Sequence, residues 1–264
     1  MFRLTREVRF AANGDPDPQL QGAPTNSYGG FPSLVAFAPW LALQVTVAGK
    51  LEAQSNYLIN IKQIDAAVRQ HAIPIINRAI RGLPKQSPEQ TVADVFNRLR
   101  GLWPSLTVEH LQLLLSPFLS LSVTDGEFPM VQLSQKFEFS ATHRLHNPAL
   151  PEAENSRVYG KCNNPHGHGH NYEVQVTLSG NPGPTGTLIE VPAFERIVAA
   201  TVIDRFDHKN LNVELPEFRE LIPTVENIAM TIYRLLKPKF SNQSATVASV
   251  TVWETPKTWC EYSE

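Results

Sequence analysis

Cysteine is scarce in this 264-residue chain, which holds only Cys162 and Cys260. Two thiols cannot build the disulfide framework of a small secreted domain, so the composition favours an intracellular, cytoplasmic protein with reduced cysteines. A dominant charge is missing too. With 23 basic residues against 25 acidic ones the formal net charge is −2, which removes any broad electrostatic case for nucleic acid or an anionic membrane. An anionic ligand would need a local basic site. The opening stretch "MFRLTREVRF" lacks the apolar core of a signal peptide, alternates charged and apolar residues, and reads as mature sequence. Residues 29 to 49 lack charge for long enough to suggest a membrane span. Pro32, Pro39, Gln44 and Thr46 argue against a lipid-exposed helix, while Leu41, Leu43, Val45 and Val47 recur at every second position, as on one face of a strand.

What the chain does contain is an internal repeat, and a duplication changes what is expected of each half. "LQVTVAGKLEAQSNYLINIKQIDAAV" (43–68) resembles "VQVTLSGNPGPTGTLIEVPAFERIV" (174–198) in apolar pattern and order of elements. On either side, "VRFAA" (8–12) answers "FEFSA" (137–141), "PEQTVADVFNRL" (88–99) answers "TVENIAMTIYRL" (224–235), and "SLSVTDGEFPMVQLS" (120–134) answers "SVTVWETPKTWCEYS" (249–263). Each half reads strand, strand, helix, helix, strand, strand. Ile61, Ile64, Ala67 and Val68 share one helical face, as do Phe194, Ile197, Val198 and Thr201, and Ser87 and Thr224 stand where helix caps are favoured. Alternating strands need one covered face. The expected fold class is therefore α+β: two tandem modules, 1–132 and 133–264, each a four-stranded antiparallel sheet with two helices on one face.

The titratable chemistry is concentrated in the second half. Six of the eight histidines fall between residues 143 and 208. His168 and His170, two apart on a strand, point the same way, and His143 at the end of the neighbouring strand could join them. Three neutral imidazoles around a tetrahedral ion leave one position open, the arrangement of catalytic zinc. His166, in a loop, is a reserve ligand, and a surface pair is the plain alternative for the H-x-H. Aligning the halves puts Phe37 and Pro39 opposite His168 and His170, and Gly14 opposite His143, so all three candidate ligands are absent together at the matching first-half positions. Cys162 could be a fourth ligand, a nucleophile, a base or an ordinary loop thiol, while Cys260 reads as packed or exposed. Asp207 directly precedes His208, where a carboxylate can orient an imidazole, and the matching first-half residues are Asn77 and Arg78. Glu254 ends a strand where a carboxylate could accept two hydrogen bonds from an amino-pyrimidinone edge, and Asp125 answers it in the first half, which makes this carboxylate the least diagnostic of the set. Thr224 and Glu226 have a plain reading as helix cap and first-turn acid.

"FEFSATHRL", "VYGKCNNPHGHGHNY", "DHKNLN", "PTVEN" and "VWET", in this order and spacing, resemble the 6-pyruvoyltetrahydropterin synthase family, which includes the 6-carboxytetrahydropterin synthases of queuosine biosynthesis. The resemblance covers residues 134 to 264 and implies the tunnelling fold in each module. It implies zinc held by His143, His168 and His170, Cys162 as general base, Asp207 and His208 completing a proton relay, and a pterin ring anchored by Glu254 in a pocket lined by Thr224 and Glu226. The substrate implied is 7,8-dihydroneopterin triphosphate, converted to a pyruvoyl product or, in the other branch, a carboxy product. A non-catalytic pterin-binding or structural zinc module is the third reading. Family sites lie where subunits meet, so a homo-oligomer is expected, with a trimer of tandem chains standing in for a hexamer of single modules.

Overall fold

Strand formation begins at the amino end, where β1 (Phe2–Ala11) pairs antiparallel with β2 (Trp40–Gly49). In this computed structural model, which describes residues 1–12, 28–241 and 244–264, the alternation at Leu41, Leu43, Val45 and Val47 buries all four side chains. α1 (Ile61–Ala67) is capped by the Asn60 side chain and continues through a π-helical segment, Val68–Ala72, into α2 (Ile73–Ile80). α3 (Pro88–Leu99) starts at Ser87, whose hydroxyl accepts from Gln90 N at 3.0 Å, with proline in the first turn where its missing N–H costs nothing. β3 (Thr107–Leu114) and β4 (Leu119–Thr124) complete the antiparallel order β1-β2-β3-β4. Ile64, Val68, Val92, Phe96 and Leu99 turn inward from the helices, each contributing about 1.5–3 kcal/mol on full burial.

The second half opens with β5 (Val131–His143), followed by α4 (Glu152–Tyr159), a 3₁₀ turn at Gly160–Asn163, and β6 (His168–Gly180). α5 (Val191–Val198) passes through a second π segment, Ala199–Ile203, into α6 (Asp204–Phe206). The two-residue β7 (Lys209–Asn210) and α7 (Leu211–Glu214) precede α8 (Val225–Phe240), which is capped by the Thr224 hydroxyl. β8 (Ala245–Thr255) and β9 (Thr258–Tyr262) end the order β5-β6-β8-β9, and β7 lies parallel to β5. The π segments lie 131 residues apart, the same spacing that separates Gly49 and Gly180 at the ends of β2 and β6. The sequence correspondence between the two halves is thus matched by an irregularity that hydrophobic period does not encode.

The structure corrects several expectations. The last strands of the first half are Thr107–Leu114 and Leu119–Thr124, while residues 131 to 134 begin β5, which runs unbroken to His143. Glu109 is the extra residue of a β-bulge opposite Thr46 and Val47, and it breaks the alternation that would have marked β3. Hairpin β3–β4 is therefore the counterpart of β8–β9. Asp125 falls in the 3₁₀ turn after β4, far along the chain from the end of β3, so it does not answer Glu254. α4 and α7 are additions to the expected strand and helix order. The chain divides into Met1–Leu133 with Ser179–Leu188, and Ser134–Leu178 with Ile189–Glu264, so one segment beyond residue 133 groups with the first unit. Its bonds explain this: the Ser87 hydroxyl donates to the Gly186 carbonyl, and the buried Glu89 carboxylate accepts from Leu188 N at 3.1 Å. Gly14 lies outside the described residues.

Candidate functional site

Along three strands of the second unit the buried face changes from hydrocarbon to nitrogen and oxygen. On β5 Phe139 and Ala141 lead to His143, on β6 Val174 and Tyr172 lead back to His170 and His168, and on β8 Val250 and Val252 lead to Glu254. Side chains two apart share a face, so the alternation that fills the core also collects the three histidines and Glu254 at its edge. Phe139 and Tyr172, stacked with centroids 4.9 Å apart, lie beneath them. Ligand atoms of His143, His168, His170 and Glu254 all lie within 4.8 Å of one another. His143 Nε2 is 3.1 Å from His168 Nε2 and 3.2 Å from Glu254 Oε1, and His170 Nε2 is 3.3 Å from that same oxygen without the alignment of a hydrogen bond.

The tautomer of His143 follows from its partner. Its ring is 0% exposed, and Nδ1 lies 2.7 Å from the Pro223 carbonyl, which can only accept. Nδ1 therefore carries the hydrogen and Nε2 keeps a lone pair aimed at His168 and Glu254. Acceptors converging in this way need a proton or a cation among them. Burial, then the nearby His143 and His170, push the His168 pKa down, and burial pushes His170 down against the pull of Glu254. Both rings thus favour the neutral form that binds metal. With a proton on His143 Nε2, the hydrogen bond it gives Glu254 holds that carboxyl below its usual range despite partial burial, and a bound cation would take the place of that proton. This donor set fits a small divalent cation.

Gly167 makes the approach of β6 to His143 possible. Its φ is +73°, and a Cβ there would lie 3.0 Å from the His143 carbonyl oxygen. Two turns earlier, Cys162 sits half-buried in the 3₁₀ turn, tied to the strand extension by Leu145 N donating to Cys162 O at 2.9 Å. Burial raises the Tyr172 phenol pKa, and the nearby Glu254 carboxylate raises it further, at a buried hydroxyl beside the histidines. His166 is exposed in the loop and is not part of the cluster.

Asp207 and His208 are held to the edge of β5. Asp207 Oδ1 accepts from Ser140 N at 2.8 Å, His208 N donates to Ser140 O at 2.6 Å, and the two side chains meet at 2.8 Å. The Ser140 N–H, then the His208 side chain, lower the Asp207 pKa. His208 adopts φ +59°, and its ring, 83% exposed, faces a groove of ≈ 550 Å³ lined by Ser140, Thr142, Asn171, Lys209 and Glu214 among others. Ser140, Thr142 and Asn171 alternate with the residues that carry the cluster, and among the described residues no hydrogen bond or ion pair joins the dyad to it, although His170 also borders the groove. The Asp207–His208 pair is therefore not bonded to the His143–His168–His170 cluster of the same chain. Thr224 caps α8 next to Pro223, while Glu226 is exposed and its charge raises the Cys260 thiol pKa after burial.

Two groups of residues were not singled out in the sequence. Tyr172 continues the alternation His168, His170, Tyr172, and its hydroxyl is buried without a partner. Arg144, His146, Glu152 and Asn163 form a polar network around the Cys162 turn, for which the sequence offers only the density of polar residues.

A family model described as 6-pyruvoyl tetrahydropterin synthase matches residues 132–264. The chain is 41% identical over 109 residues to the 6-pyruvoyl tetrahydrobiopterin synthase of Homo sapiens, covering 41% of this chain and 75% of that protein. It is 28% identical over 156 residues to the 6-carboxy-5,6,7,8-tetrahydropterin synthase of Haemophilus influenzae, covering 51% of this chain and 100% of that protein. Uricase from Arthrobacter globiformis matches over 100% of this chain and 93% of its own, with a TM-score of 0.51 at 7% identity, a likeness of fold alone. Among the described residues no helix is long and apolar enough to cross a membrane.

Proposed function

Because the chain belongs to the 6-pyruvoyl tetrahydropterin synthase family, we propose that its second half is a zinc-dependent lyase converting 7,8-dihydroneopterin triphosphate to 6-pyruvoyltetrahydropterin with loss of triphosphate. The observation that carries this reading is the convergence of His143, His168, His170 and Glu254 on one point with a lone pair fixed on His143. Tetrahedral zinc with nitrogen ligands at about 2.0–2.1 Å sets neighbouring ligands about 3.3 Å apart. The His143–His168 separation of 3.1 Å is close to that spacing, and all four groups lie within 4.8 Å of one another.

The three histidines hold the ion, which when bound supplies Lewis-acid stabilisation of oxygen that gains negative charge on the substrate side chain. Cys162, as thiolate, takes a proton from a side-chain carbon, and triphosphate departs with the bonding electrons. Ionised Glu254 accepts from the amino-pyrimidinone edge of the pterin, and Thr224 and Glu226 line the pocket. Asp207 orients His208, which passes the proton onward. Because the dyad lies at the edge of β5, away from its own cluster, it serves the site of another copy, in a homo-oligomer, a trimer of two-module chains. The first half, with no histidine at the positions aligned with His143, His168 and His170, is a degenerate tunnelling-fold module without a site of its own. Greater identity to the pyruvoyl-named relative supports this product over the carboxy one.

The test is mass-spectrometric product analysis of zinc-loaded protein incubated with 7,8-dihydroneopterin triphosphate, beside Cys162→Ala. A pyruvoyl product that the variant fails to make supports the reading. A carboxy product with acetaldehyde replaces it with the other branch, and no product from either protein leaves a binding module.

A further inference from the structure

Around Cys162 the structure holds a polar frame that the chemistry above does not use. Asn163, 4% exposed, follows the half-buried thiol in the 3₁₀ turn and makes three hydrogen bonds. Its carbonyl accepts from Arg144 Nε at 2.9 Å, its Nδ2 donates to Glu152 Oε1 at 2.7 Å, and its Oδ1 lies 2.9 Å from His146 Nδ1. A carboxylate only accepts, so the amide orientation is fixed, and His146 must donate from Nδ1. Arg144 Nη2, 3.6 Å from Glu152, closes the loop of charges. Both anchors of this frame, Arg144 and His146, come directly after His143, and Leu145 between them donates to the Cys162 carbonyl. The same short segment therefore fixes the metal-ligating imidazole at one end and the turn that carries the thiol at its other.

We propose that Asn163 is a positioning residue for the reaction: through Glu152, His146 and Arg144 it locks the Cys162 turn to the strand that ends in His143, and so sets where the thiol stands relative to the substrate. This rests on the assignment of Cys162 as base. A buried side-chain amide tied to two partners, with its backbone carbonyl tied to a third, restrains the turn, and placing reacting groups within a fraction of an ångström is where orientation contributes rate. The hydrogen bonds of Asn163 run to Arg144, His146 and Glu152 and to none of the clustered histidines, so its loss should spare zinc binding.

The experiment compares Asn163→Ala, Asn163→Asp and the double variant Asn163→Asp/Glu152→Gln in the full chain. The readouts are bound zinc, kcat, KM, and the iodoacetamide rate at Cys162 in zinc-free protein, with peptide masses separating it from Cys260. Asn163→Ala should lower kcat by about 10- to 100-fold, with KM changed by less than about threefold and zinc content unchanged. Asn163→Asp sets two carboxylates against each other and should do the same. Adding Glu152→Gln restores a donor opposite the new acceptor, and should return both kcat and the alkylation rate to within about threefold of wild type. Wild-type kcat in a folded, zinc-loaded Asn163→Ala, or a defect confined to KM, overturns the proposal. If Asn163→Ala does not fold, the two isosteric variants decide it: no recovery of kcat in the double variant overturns it. Full activity in Cys162→Ala removes the base assignment and the proposal with it, whereas an inactive Cys162→Ala beside an unaffected Asn163→Ala removes the positioning role alone.

Discussion

Gly167→Ala tests whether backbone approach builds the cluster. At φ +73° an alanine is in the left-handed region, which costs about 1–2 kcal/mol. Its Cβ would also stand 3.0 Å from the His143 carbonyl oxygen and 3.4 Å from the carbonyl carbon, both backbone atoms that cannot rotate away. The chain must shift by a few tenths of an ångström, which brings the expected loss of stability to about 1–3 kcal/mol. The shift falls between His143 and His168, whose Nε2 atoms are 3.1 Å apart, so zinc affinity should drop by about 10- to 100-fold, as when an outer-shell partner is lost. Urea unfolding of the zinc-free protein reads the first effect and chelator competition the second. Gly169→Ala is the control, because its Cβ would meet Thr142 Cγ2 at 3.3 Å, the end of an exposed side chain that can turn aside. Wild-type stability and zinc affinity in Gly167→Ala would refute the reasoning.

Acidification should release the metal and loosen the fold. The folded pKa values of His168 and His170 are depressed, so below about pH 6.5 the unfolded chain takes up protons that the folded one refuses. Stability of the zinc-free protein should fall as pH drops below that point, read by denaturant midpoints at several pH values; a midpoint that rises on acidification contradicts the assignment. Asp207→Asn removes the acceptor that orients His208 and should lower kcat by about 10- to 100-fold with bound zinc unchanged. Mixing subunits of Asp207→Asn and Cys162→Ala should restore part of the activity if the dyad serves a neighbouring copy, and no recovery in verified mixed oligomers contradicts the shared site. Ser87→Ala loses the cap of α3 and should cost about 1 kcal/mol of stability without changing zinc content, by urea unfolding and metal analysis.

The parts of the fold legible in the sequence were those written in periodicity. Leu41 to Val47 announced β2, Ser87 and Thr224 announced their helices, and H-x-H at the start of an alternating strand announced two ligands on one face. His143 could be placed beside them because it keeps the parity of Phe139 and Ala141. β3 was hidden by the bulge at Glu109, and its loss misaligned the hairpins so that Asp125 seemed to stand for Glu254. The π segments left no mark because the apolar face continues through them. Where Asp207 and His208 face depends on β7 running along the edge of β5, a tertiary pairing of two residues that no local pattern specifies. The Asn163 frame joins residues on three separate elements, so spacing alone could not assemble it.

The most direct test of the central claim is metal analysis of the purified chain by plasma mass spectrometry, with His143→Ala and His168→Ala measured alongside. The cluster in the second half, and the absence of its counterparts in the first, predict one zinc per chain in the wild type and almost none in either variant. A chain that carries no metal, or one whose metal persists after both histidines are removed, would contradict the account.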